Sequence, residues 1–455
     1  MANLKVGYAS VNINPPLGIG VAGYFVPRYA KGFLDDLEIG AIVLSLGRKK
    51  IAMVSVDNCS FSPQIVKEYL AKAAKGTGLS ANNILITSTH THTGGSTKLT
   101  SFPQDAQVVE KYKDFVGERI VDAIKLALQD MKPAKMGYIV GYAPDRVAYI
   151  RRYKMKDGST MTCPPVNDPN IDHPIGTLDQ RVNVLRFDRE GGETVVLVNY
   201  GLHADTVNGD MLSSDWPGWM RKTLDAALGG VKCIFFNGAE GDVGSTNVHV
   251  QPGDGDMNDT EISFDNEMKS PGMARFVGRA LAGTVLQVYD KVQYVDVDSL
   301  EMIRKDLEIP ANVPDPKDLP RAHQYKEWHT NGRDDLIPYE AMELTTVVAE
   351  AIRMCRLENG PENFVMQLTG VKIGNVAMVG IPGEPFTDIG VGIKDTEGWD
   401  MIMPCSFVGG SHGYFPMMSA YEEGGYEARS SNFKAGVAER IIKGGKELLA
   451  ELKVK

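Results

Sequence analysis

Two histidines stand two residues apart at the end of an apolar stretch, in the segment Ile84–Ser96 (ILITSTHTHTGGS). Side chains two apart on an extended chain point to the same face, so the imidazoles of His90 and His92 can approach one centre. A single histidine in such a place is more often a hydrogen-bonded core residue than a ligand. The His-Thr-His pair followed by two glycines instead favours a metal-binding or catalytic role.

Two further polar residues occupy the same kind of position, after a run of apolar residues. His203 follows Val195–Tyr200, and Glu384 follows Val376–Ile381 between a glycine and a proline. By itself, His203 would be assigned to the core and Glu384 to an exposed loop. Together with His90 they supply imidazole and carboxylate donors, the groups with which zinc hydrolases hold their metal. The sequence does not contain HExxH, which excludes the common zincin site.

Two glycine-rich segments also contain polar residues that could contribute chemistry. Phe235–Asn247 (FFNGAEGDVGSTN) contains Asp242 and Ser245, and its backbone N–H groups could closely approach a phosphate or an oxyanion. It is not a P-loop, because the GKS or GKT ending is missing, and a tight structural turn is the simpler explanation. Gly409–Glu427 combines glycines with His412 and three tyrosines, and a structural loop explains it equally well.

The elements that position these residues alternate between two patterns. Short β-branched runs bounded by turn residues predict buried strands, and apolar residues at three-and-four spacing predict amphipathic helices. The alternation predicts an α/β fold with mixed β-sheets flanked by helices, as one large domain over residues 1–455. The predicted strands are Ala41–Leu46, Ile51–Val56, Ile84–Ile86, Val195–Tyr200, Cys233–Phe236 and Val376–Ile381; the predicted helices are Pro63–Gly76, Ala106–Met131, Trp219–Leu228, Gly272–Tyr289 and Phe433–Leu452.

Three segments depart from this alternation. Pro310–Pro320 is rich in proline and predicts a loop, and Gln251–Met273 is acidic and glycine-containing and predicts a surface loop. Arg321–Glu358 is charged and helical, and it is too short to bury a core of its own. We interpret it as a helical excursion from the domain, and its charge pattern fits either a lid or an interface.

The composition is that of an ordinary globular protein. Of the 455 residues, 43% are hydrophobic, and the net charge of −10 is spread along the chain. Because no basic run is present, a nucleic-acid partner is disfavoured, and the apolar stretches are too short for a transmembrane segment. Five distant cysteines without a CxxC pair fit a reducing compartment, and the start of the chain lacks a secretory signal. We therefore expect a cytoplasmic protein. The composition is also compatible with a homo-oligomer.

The order of motifs along most of the chain resembles the catalytic domain of the neutral, non-lysosomal ceramidase family. The most specific block is Ser88–Gly95 (STHTHTGG). The other matching blocks are Asn12–Gly23, Ile150–Arg152, His203, Ser213–Gly218, Gly241–Val243, Pro382–Thr387, Gly413-Tyr414 and Tyr426–Ala428.

The resemblance implies a specific metal site. It places zinc between the first histidine of the Thr-His-Thr-His block, the later strand-end histidine, the glutamate of Pro-Gly-Glu and a tyrosine. Those positions are His90, His203, Glu384 and Tyr414 in this sequence. The family hydrolyses the amide bond between a fatty acyl group and a sphingoid base. Water on zinc is the expected nucleophile, and the tyrosine can stabilise the tetrahedral oxyanion.

The same resemblance suggests roles for the residues around the metal. His92 would lie beside the ion, and Arg151 matches an arginine in the family's pocket, so both are expected to orient the substrate carbonyl. Backbone amides of Gly241–Ser245 are expected to help to hold the oxyanion. Asp242, which we include among the catalytic candidates, and Asp57 are expected to fix the tautomers of the histidines.

The chain also departs from the family. Ceramidases have a serine with an assigned catalytic role after Gly-Asp-Val, where this sequence has Gly244 and a displaced Ser245. They also have a C-terminal β-sandwich domain, for which we find no counterpart. We therefore expect a small soluble substrate with an acyl amide or ester bond. The alternatives are a zinc-dependent esterase or lactonase, and a non-catalytic binding protein that the metal stabilises.

Overall fold

A computed structural model of the chain describes residues 4–98, 106–250 and 269–455. One mixed sheet contains nine of the strands in these ranges: β1 (Lys5–Asn12), β2 (Glu38–Leu46), β3 (Lys49–Val56), β4 (Ile84–Ser88), β5 (Lys132–Tyr142), β6 (Arg181–Arg189), β7 (Val195–Tyr200), β8 (Lys232–Asn237) and β9 (Gln293–Val295). Their order is β8-β7-β6-β5-β1-β2-β3-β4, and β9 pairs with β5. The β3–β4 and β7–β8 pairs are parallel, whereas their neighbours pair antiparallel.

A second, four-stranded sheet follows in the chain. Its strands are β10 (Leu300–Pro310), β11 (Asn363–Ile373), β12 (Val376–Gly380) and β13 (Met401–Cys405), in this order. Only the last pair, β12–β13, is parallel. The remaining short strands pair outside the two sheets: Gly32–Phe33 with Met211–Leu212, Tyr149–Ile150 with Val243–Gly244, Glu384–Pro385 with Tyr414–Phe415, and Arg152–Met155 with both Thr160–Thr162 and Ile171–Pro174.

The described ranges contain ten α-helices. They are α1 (Pro63–Thr77), α2 (Ala106–Gln129), α3 (Asp215–Leu228), α4 (Pro271–Val288), α5 (Leu319–Thr330), α6 (Ala341–Leu357), α7 (Thr387–Lys394), α8 (Met418–Glu423), α9 (Tyr426–Ser430) and α10 (Val437–Lys453).

The two sheets pack face to face, and helices cover their outer faces. Alternation along each strand sends residues such as Ile42 and Leu44 into the core between the sheets, and Ala41 and Val43 toward the helices. Helices α1 and α2 cover the β1–β4 half of the large sheet, and α3 and α4 cover the half that contains β6–β8. Helices α7 and α10 cover the second sheet. The result is a layered arrangement of helices, sheet, sheet and helices.

Each parallel strand pair within the two sheets belongs to a βαβ unit. The units are β3–α1–β4, β7–α3–β8 and β12–α7–β13. Ligand sites in α/β folds lie beyond the carboxyl ends of such strands, where the connecting loops begin. These three units are therefore the elements that can deliver functional side chains.

The large sheet curves until β8 approaches the opposite half of the same sheet. The hydroxyl of Ser55 on β3 donates to the carbonyl oxygen of Phe235 on β8 at 2.6 Å. Beyond the strands, Arg221 of α3 binds Asp57 with both terminal nitrogens, at 2.6 and 3.0 Å. Strand twist of one hand accumulates along a sheet, and here it brings the carboxyl ends of β4 and β7 to one place.

The predicted α/β fold with mixed sheets and flanking helices is confirmed. Each predicted strand and helix is present, most with shifted ends. The two largest shifts are of four residues: α3 begins at Asp215 rather than Trp219, and the last helix begins at Val437 rather than Phe433 because Gly436, in a left-handed conformation (φ 96°), is its N-cap. Most of the predicted surface loop Gln251–Met273 lies outside the described residues, and α4 already begins at Pro271. No helix among the described residues is both long and apolar enough to span a bilayer.

The excursion Arg321–Glu358 consists of two helices, α5 and α6. They pack against each other through a small cluster that includes Tyr325, Trp328 and Val347. The predicted loop before the excursion is also present, because β10 ends at Pro310 and α5 begins at Leu319.

Close packing of α2 against β1 gives a test of the fold. A methyl group at Gly7 would lie 1.8 Å from the carbonyl oxygen of Ala127, so the helix backbone would have to move. We expect Gly7→Ala to lower the free energy of unfolding by about 3 kcal/mol, as overpacking does. The control is Gly40→Ala on β2, where the nearest atom would be a side-chain carbon of Ile234 at 3.4 Å. Chemical denaturation that shows equal losses for both variants would contradict this packing.

Candidate metal centre

His90 lies in the loop beyond β4, with its backbone in the left-handed region (φ 72°). Its ring is buried, stacks on Phe407 at 4.3 Å between centroids, and donates through Nδ1 to the carbonyl oxygen of Cys59 at 2.7 Å. Because a carbonyl oxygen only accepts, the proton stays on Nδ1 and the lone pair on Nε2. Burial and the neighbouring His92 lower the pKa of His90 to about 4, so the imidazole is neutral.

His203 is held in the same way beyond β7. Its Nδ1 lies 2.9 Å from the carbonyl oxygen of Glu240 and 3.0 Å from that of Val243, in the loop after β8. The proton is therefore again on Nδ1, and Nε2 keeps its lone pair. Burial and the charge of Arg151 lower the pKa of His203 well below its usual value. Both histidines thus present a neutral Nε2, as a metal-binding imidazole does.

Glu384 and Tyr414 are neighbours because their two short strands pair in parallel with these residues in register. The backbone N–H of Glu384 donates to the carbonyl oxygen of Gly413 at 2.9 Å. This close approach requires Gly383, since a Cβ there would lie 2.5 Å from the same oxygen. Burial, together with the charge of Glu384, raises the pKa of Tyr414 well above its usual value.

Three of the four predicted zinc ligands converge on one point. Glu384 Oε2 lies 3.6 Å from His90 Nε2 and 3.5 Å from His203 Nε2, and it has no hydrogen-bond partner in the described part of the chain. Neither Nε2 atom carries a proton to donate to this oxygen; each can itself accept, His90 from His92 Nε2 at 3.1 Å and His203 from Arg151 Nη1 at 3.2 Å. The carboxylate oxygen therefore lacks a positive partner, which a cation between the three residues would supply. The residues therefore fit a divalent metal ion.

His92 lies beside this point rather than opposite it. Its Nε2 is 3.1 Å from His90 Nε2, and burial lowers the pKa of His92 to about 3. Its buried Nδ1 has no hydrogen-bond partner among the described residues, and the nearest carboxylate oxygen, Asp205 Oδ1, is 3.7 Å away. The ring packs so tightly against Gly23 that a Cβ at that position would lie 2.7 Å from it.

Asp205 is itself held by two donors. The Tyr24 hydroxyl donates to Oδ1 and the Lys269 ammonium to Oδ2, each at 2.7 Å. Burial acts to raise the pKa of Asp205, but the electrostatic interactions with His92 and Lys269 and the hydrogen bonds from Lys269 and Tyr24 outweigh it and lower the pKa. His92 therefore faces a fixed negative charge.

Arg151 borders the same point from the other side. Its Nη1 lies 3.2 Å from His203 Nε2, its Nη2 donates to the carbonyl oxygen of Gly241 at 2.8 Å, and its Nε donates to Glu427 at 2.8 Å. The guanidinium group also lies 5.3 Å from the centre of the Tyr414 ring. A small pocket opens here, with Arg151, Cys163, His203, Asp205, Gly244 and Ser245 in its lining.

The prediction that Asp242 and Asp57 fix the tautomers of the histidines is wrong. Asp242 accepts from the backbone N–H and the hydroxyl of Thr387 at the start of α7, at 2.7 and 2.9 Å, and Asp57 binds Arg221. Both side chains point from their loops toward helices rather than toward an imidazole. Backbone carbonyl oxygens fix the tautomers of His90 and His203 instead.

Two backbone amides of the loop Gly241–Ser245, which was predicted to bind an oxyanion, already donate to carbonyl oxygens of the protein. The N–H of Gly241 donates to the carbonyl oxygen of Pro385, and that of Val243 donates to the carbonyl oxygen of Glu240. These two amides hold the loop in place and are not free to bind an oxyanion.

One acidic residue of the site escaped the sequence analysis. Glu240 is fully buried, and neither carboxylate oxygen has a hydrogen-bond partner among the described residues. One of its oxygens and one ring nitrogen each of His90 and His203 lie within 4.8 Å of one another. Burial and the charge of Glu384 raise the pKa of Glu240 well above its usual value. Its position after β8, in the kind of strand-end loop that holds the other ligands, was the signal in the sequence.

The segment Ser213–Gly218 connects the loops of the two histidines. Asp215, buried with a left-handed backbone (φ 57°), accepts from the backbone N–H groups of Thr206, Val207 and Trp216 and from the Thr206 hydroxyl. The Trp216 indole donates to the carbonyl oxygen of His203 at 3.0 Å. On the other side, the Thr91 hydroxyl donates to the carbonyl oxygen of Ser213 at 2.7 Å.

Solved structures with a fold similar to this chain include two ceramidases. A neutral ceramidase from Pseudomonas aeruginosa superposes with a TM-score of 0.71 and 16% identical residues, over 99% of this chain and 75% of that one. A ceramidase complexed with C2 gives a TM-score of 0.72 and 16% identity, over 100% of this chain and 76% of that one. No protein-family model and no curated protein matches the sequence. The predicted resemblance to neutral ceramidases is therefore confirmed as a likeness of fold.

The role of Asp215 can be tested by stability. We expect Asp215→Ala to lower the free energy of unfolding by about 3 kcal/mol, because three buried backbone N–H groups lose their acceptor. Asp225→Ala, an exposed site on the same helix, is the matched control and should change stability by about 0.5 kcal/mol or less. Urea unfolding of both variants gives the comparison, and equal stabilities would show that Asp215 does not hold the loops.

Proposed function

We propose that the protein is a metal-dependent hydrolase that cleaves an acyl amide bond in a small substrate. The observation that carries the proposal is the convergence of two neutral Nε2 atoms on one unpartnered carboxylate oxygen, that of Glu384. His90, His203, Glu384 and Tyr414 would hold the ion. The likeness of the whole fold to two ceramidases supports amide hydrolysis as the reaction.

The donor set favours zinc among divalent ions. Two imidazoles, one carboxylate and one phenol oxygen are the nitrogen and oxygen ligands that zinc accepts, and both imidazoles are supported by carbonyl oxygens. A bound zinc ion supplies a Lewis acid that lowers the pKa of water. A buried tyrosine whose pKa is raised becomes a good ligand only when a strong positive charge offsets its ionisation.

The protein's own residues would orient the substrate. Arg151 is held by Glu427 and by the carbonyl oxygen of Gly241, so its guanidinium is fixed before a substrate arrives and can bind an acyl oxygen. His92 lies beside His90, and Asp205 Oδ1 lies 3.7 Å from its Nδ1. Because burial lowers the pKa of His92 to about 3, its imidazole stays neutral and would orient the substrate or water by a hydrogen bond.

The pocket gives a reason to propose a soluble substrate. Gly244 occupies the position at which ceramidases have their serine, and it lies in the pocket lining. A Cβ at Gly244 would have its nearest neighbour, the Cβ of Arg151, at 3.7 Å, so the site could accept a serine but does not use one. Because the serine with an assigned catalytic role in ceramidases is missing here, we propose a cytoplasmic acyl amide rather than a membrane lipid as the substrate.

Metal content is the direct test of the site. We expect about one zinc ion per chain in the purified protein, and its loss in both His90→Ala and Glu384→Ala. The control is His173→Ala, because this histidine is exposed and contacts Asp172 rather than any of the proposed ligands. Elemental analysis of the folded variants decides the matter. A wild-type protein that neither contains nor takes up zinc would remove the basis of the proposed function.

Substrate preference is the second test. We expect the zinc-loaded protein to hydrolyse a short N-acyl amide and to act weakly on ceramide in detergent, whereas Gly244→Ser should change the ratio of these two rates by about tenfold or less in favour of ceramide. A matched ester of the same acyl group separates an amidase from an esterase or lactonase. Absence of turnover on all three, with zinc bound, would leave a metal-stabilised binding protein.

A further inference from the structure

Glu240 is a buried acidic residue for which the site of four proposed ligands provides no partner. Its side chain is 0% exposed, and both carboxylate oxygens lack a hydrogen-bond partner in the part of the chain that the structure describes. Buried carboxyl groups are almost always hydrogen-bonded, paired with a charge or bound to a metal. A group of this kind inside a polar site therefore points to a missing partner.

The protein groups around Glu240 do not supply that partner. The nearby Arg151 directs its nitrogens to Glu427, to the carbonyl oxygen of Gly241 and to His203. The hydroxyl of Ser406 faces the Glu240 carboxyl group and acts to lower its pKa as a hydrogen-bond donor, but no hydrogen bond of ordinary geometry joins the two side chains. One hydroxyl group could serve at most one of the two carboxylate oxygens.

The two histidines of the site are the closest potential co-ligands. One Glu240 oxygen and one nitrogen from each ring lie within 4.8 Å of one another, and bonds of about 2 Å to one ion would place such atoms about 3–4 Å apart. The Glu240 carbonyl oxygen also accepts from His203 Nδ1 at 2.9 Å. The same residue thus orients one imidazole through its backbone and offers a carboxylate through its side chain.

We propose that Glu240 is a further ligand of the metal ion, so that the site contains two carboxylates, Glu240 and Glu384, beside its two imidazoles. This inference rests on the proposed function. One divalent ion then offsets two buried acidic groups that otherwise repel each other. A second carboxylate makes the donor set harder, which should improve the binding of Mn²⁺ relative to Zn²⁺ compared with a site that has one carboxylate.

The test compares two buried acids of one loop. Glu240→Gln removes a proposed ligand, whereas Asp242→Asn keeps an oxygen that can accept from Thr387 and touches no imidazole. Zinc affinity is measured by competition with a chelator, and the visible spectrum of the Co²⁺-loaded protein reports the number of ligands. We expect Glu240→Gln to lose at least about tenfold in zinc affinity and to show a changed Co²⁺ spectrum, with Asp242→Asn close to wild type.

Three results would separate the inference from the proposed function. Folded Glu240→Gln with wild-type zinc affinity and an unchanged Co²⁺ spectrum would overturn the inference and leave the proposed function intact. Wild-type protein that binds neither ion would overturn both. If Glu240→Gln does not fold, Glu240→Asp is measured in its place, because it keeps the charge on a shorter side chain. Withdrawing a ligand from the ion must change both the zinc affinity and the Co²⁺ spectrum, so wild-type values for this variant would also overturn the inference.

Discussion

The curvature of the large sheet is the constraint on which the site depends. His90 follows β4 at one edge and His203 follows β7 near the other, and a flat sheet of this width would keep them far apart. The Ser55–Phe235 hydrogen bond and the Asp57–Arg221 ion pair join the two halves of the sheet. The fold therefore supports the site by fixing where the two ends of one sheet meet.

Local hydrogen bonds and strand pairing then orient the side chains that the curved sheet brings together. Each of the three βαβ units ends near the site, and in two of them a backbone carbonyl oxygen receives the Nδ1 proton of a histidine. The third unit provides Glu384, whose register with Tyr414 is set by main-chain pairing across two short strands. Left-handed φ values at His90 and at Asp215 show that the loops are held against local preference, as at other sites where geometry matters more than loop stability.

The sequence predicts the features that depend on a local pattern of residues. It does not predict the side-chain partners that come together only when distant segments pack. The strand-end positions of His90, His203 and Glu384 follow from apolar runs that break at a polar residue, and such runs are local. The ion pair of Asp57 does not follow from a local pattern, because Arg221 reaches this residue only after the sheet has curved. Glu240 escaped notice for the same reason: in the sequence it is one acid in a glycine-rich turn, and only the packed loop shows that it is buried without a partner.

The helical excursion Arg321–Glu358 has a structural role that its sequence leaves open. Arg429 on α9 binds Glu343 and Glu350 of α6, each at 2.6 Å. Helix α9 also carries Glu427, which holds the guanidinium of Arg151. The excursion thus braces the helix that fixes Arg151, so the orientation of the pocket arginine depends on a segment that contributes no ligand. Such a brace explains why a charged hairpin with only a small core of its own is kept packed beside the site.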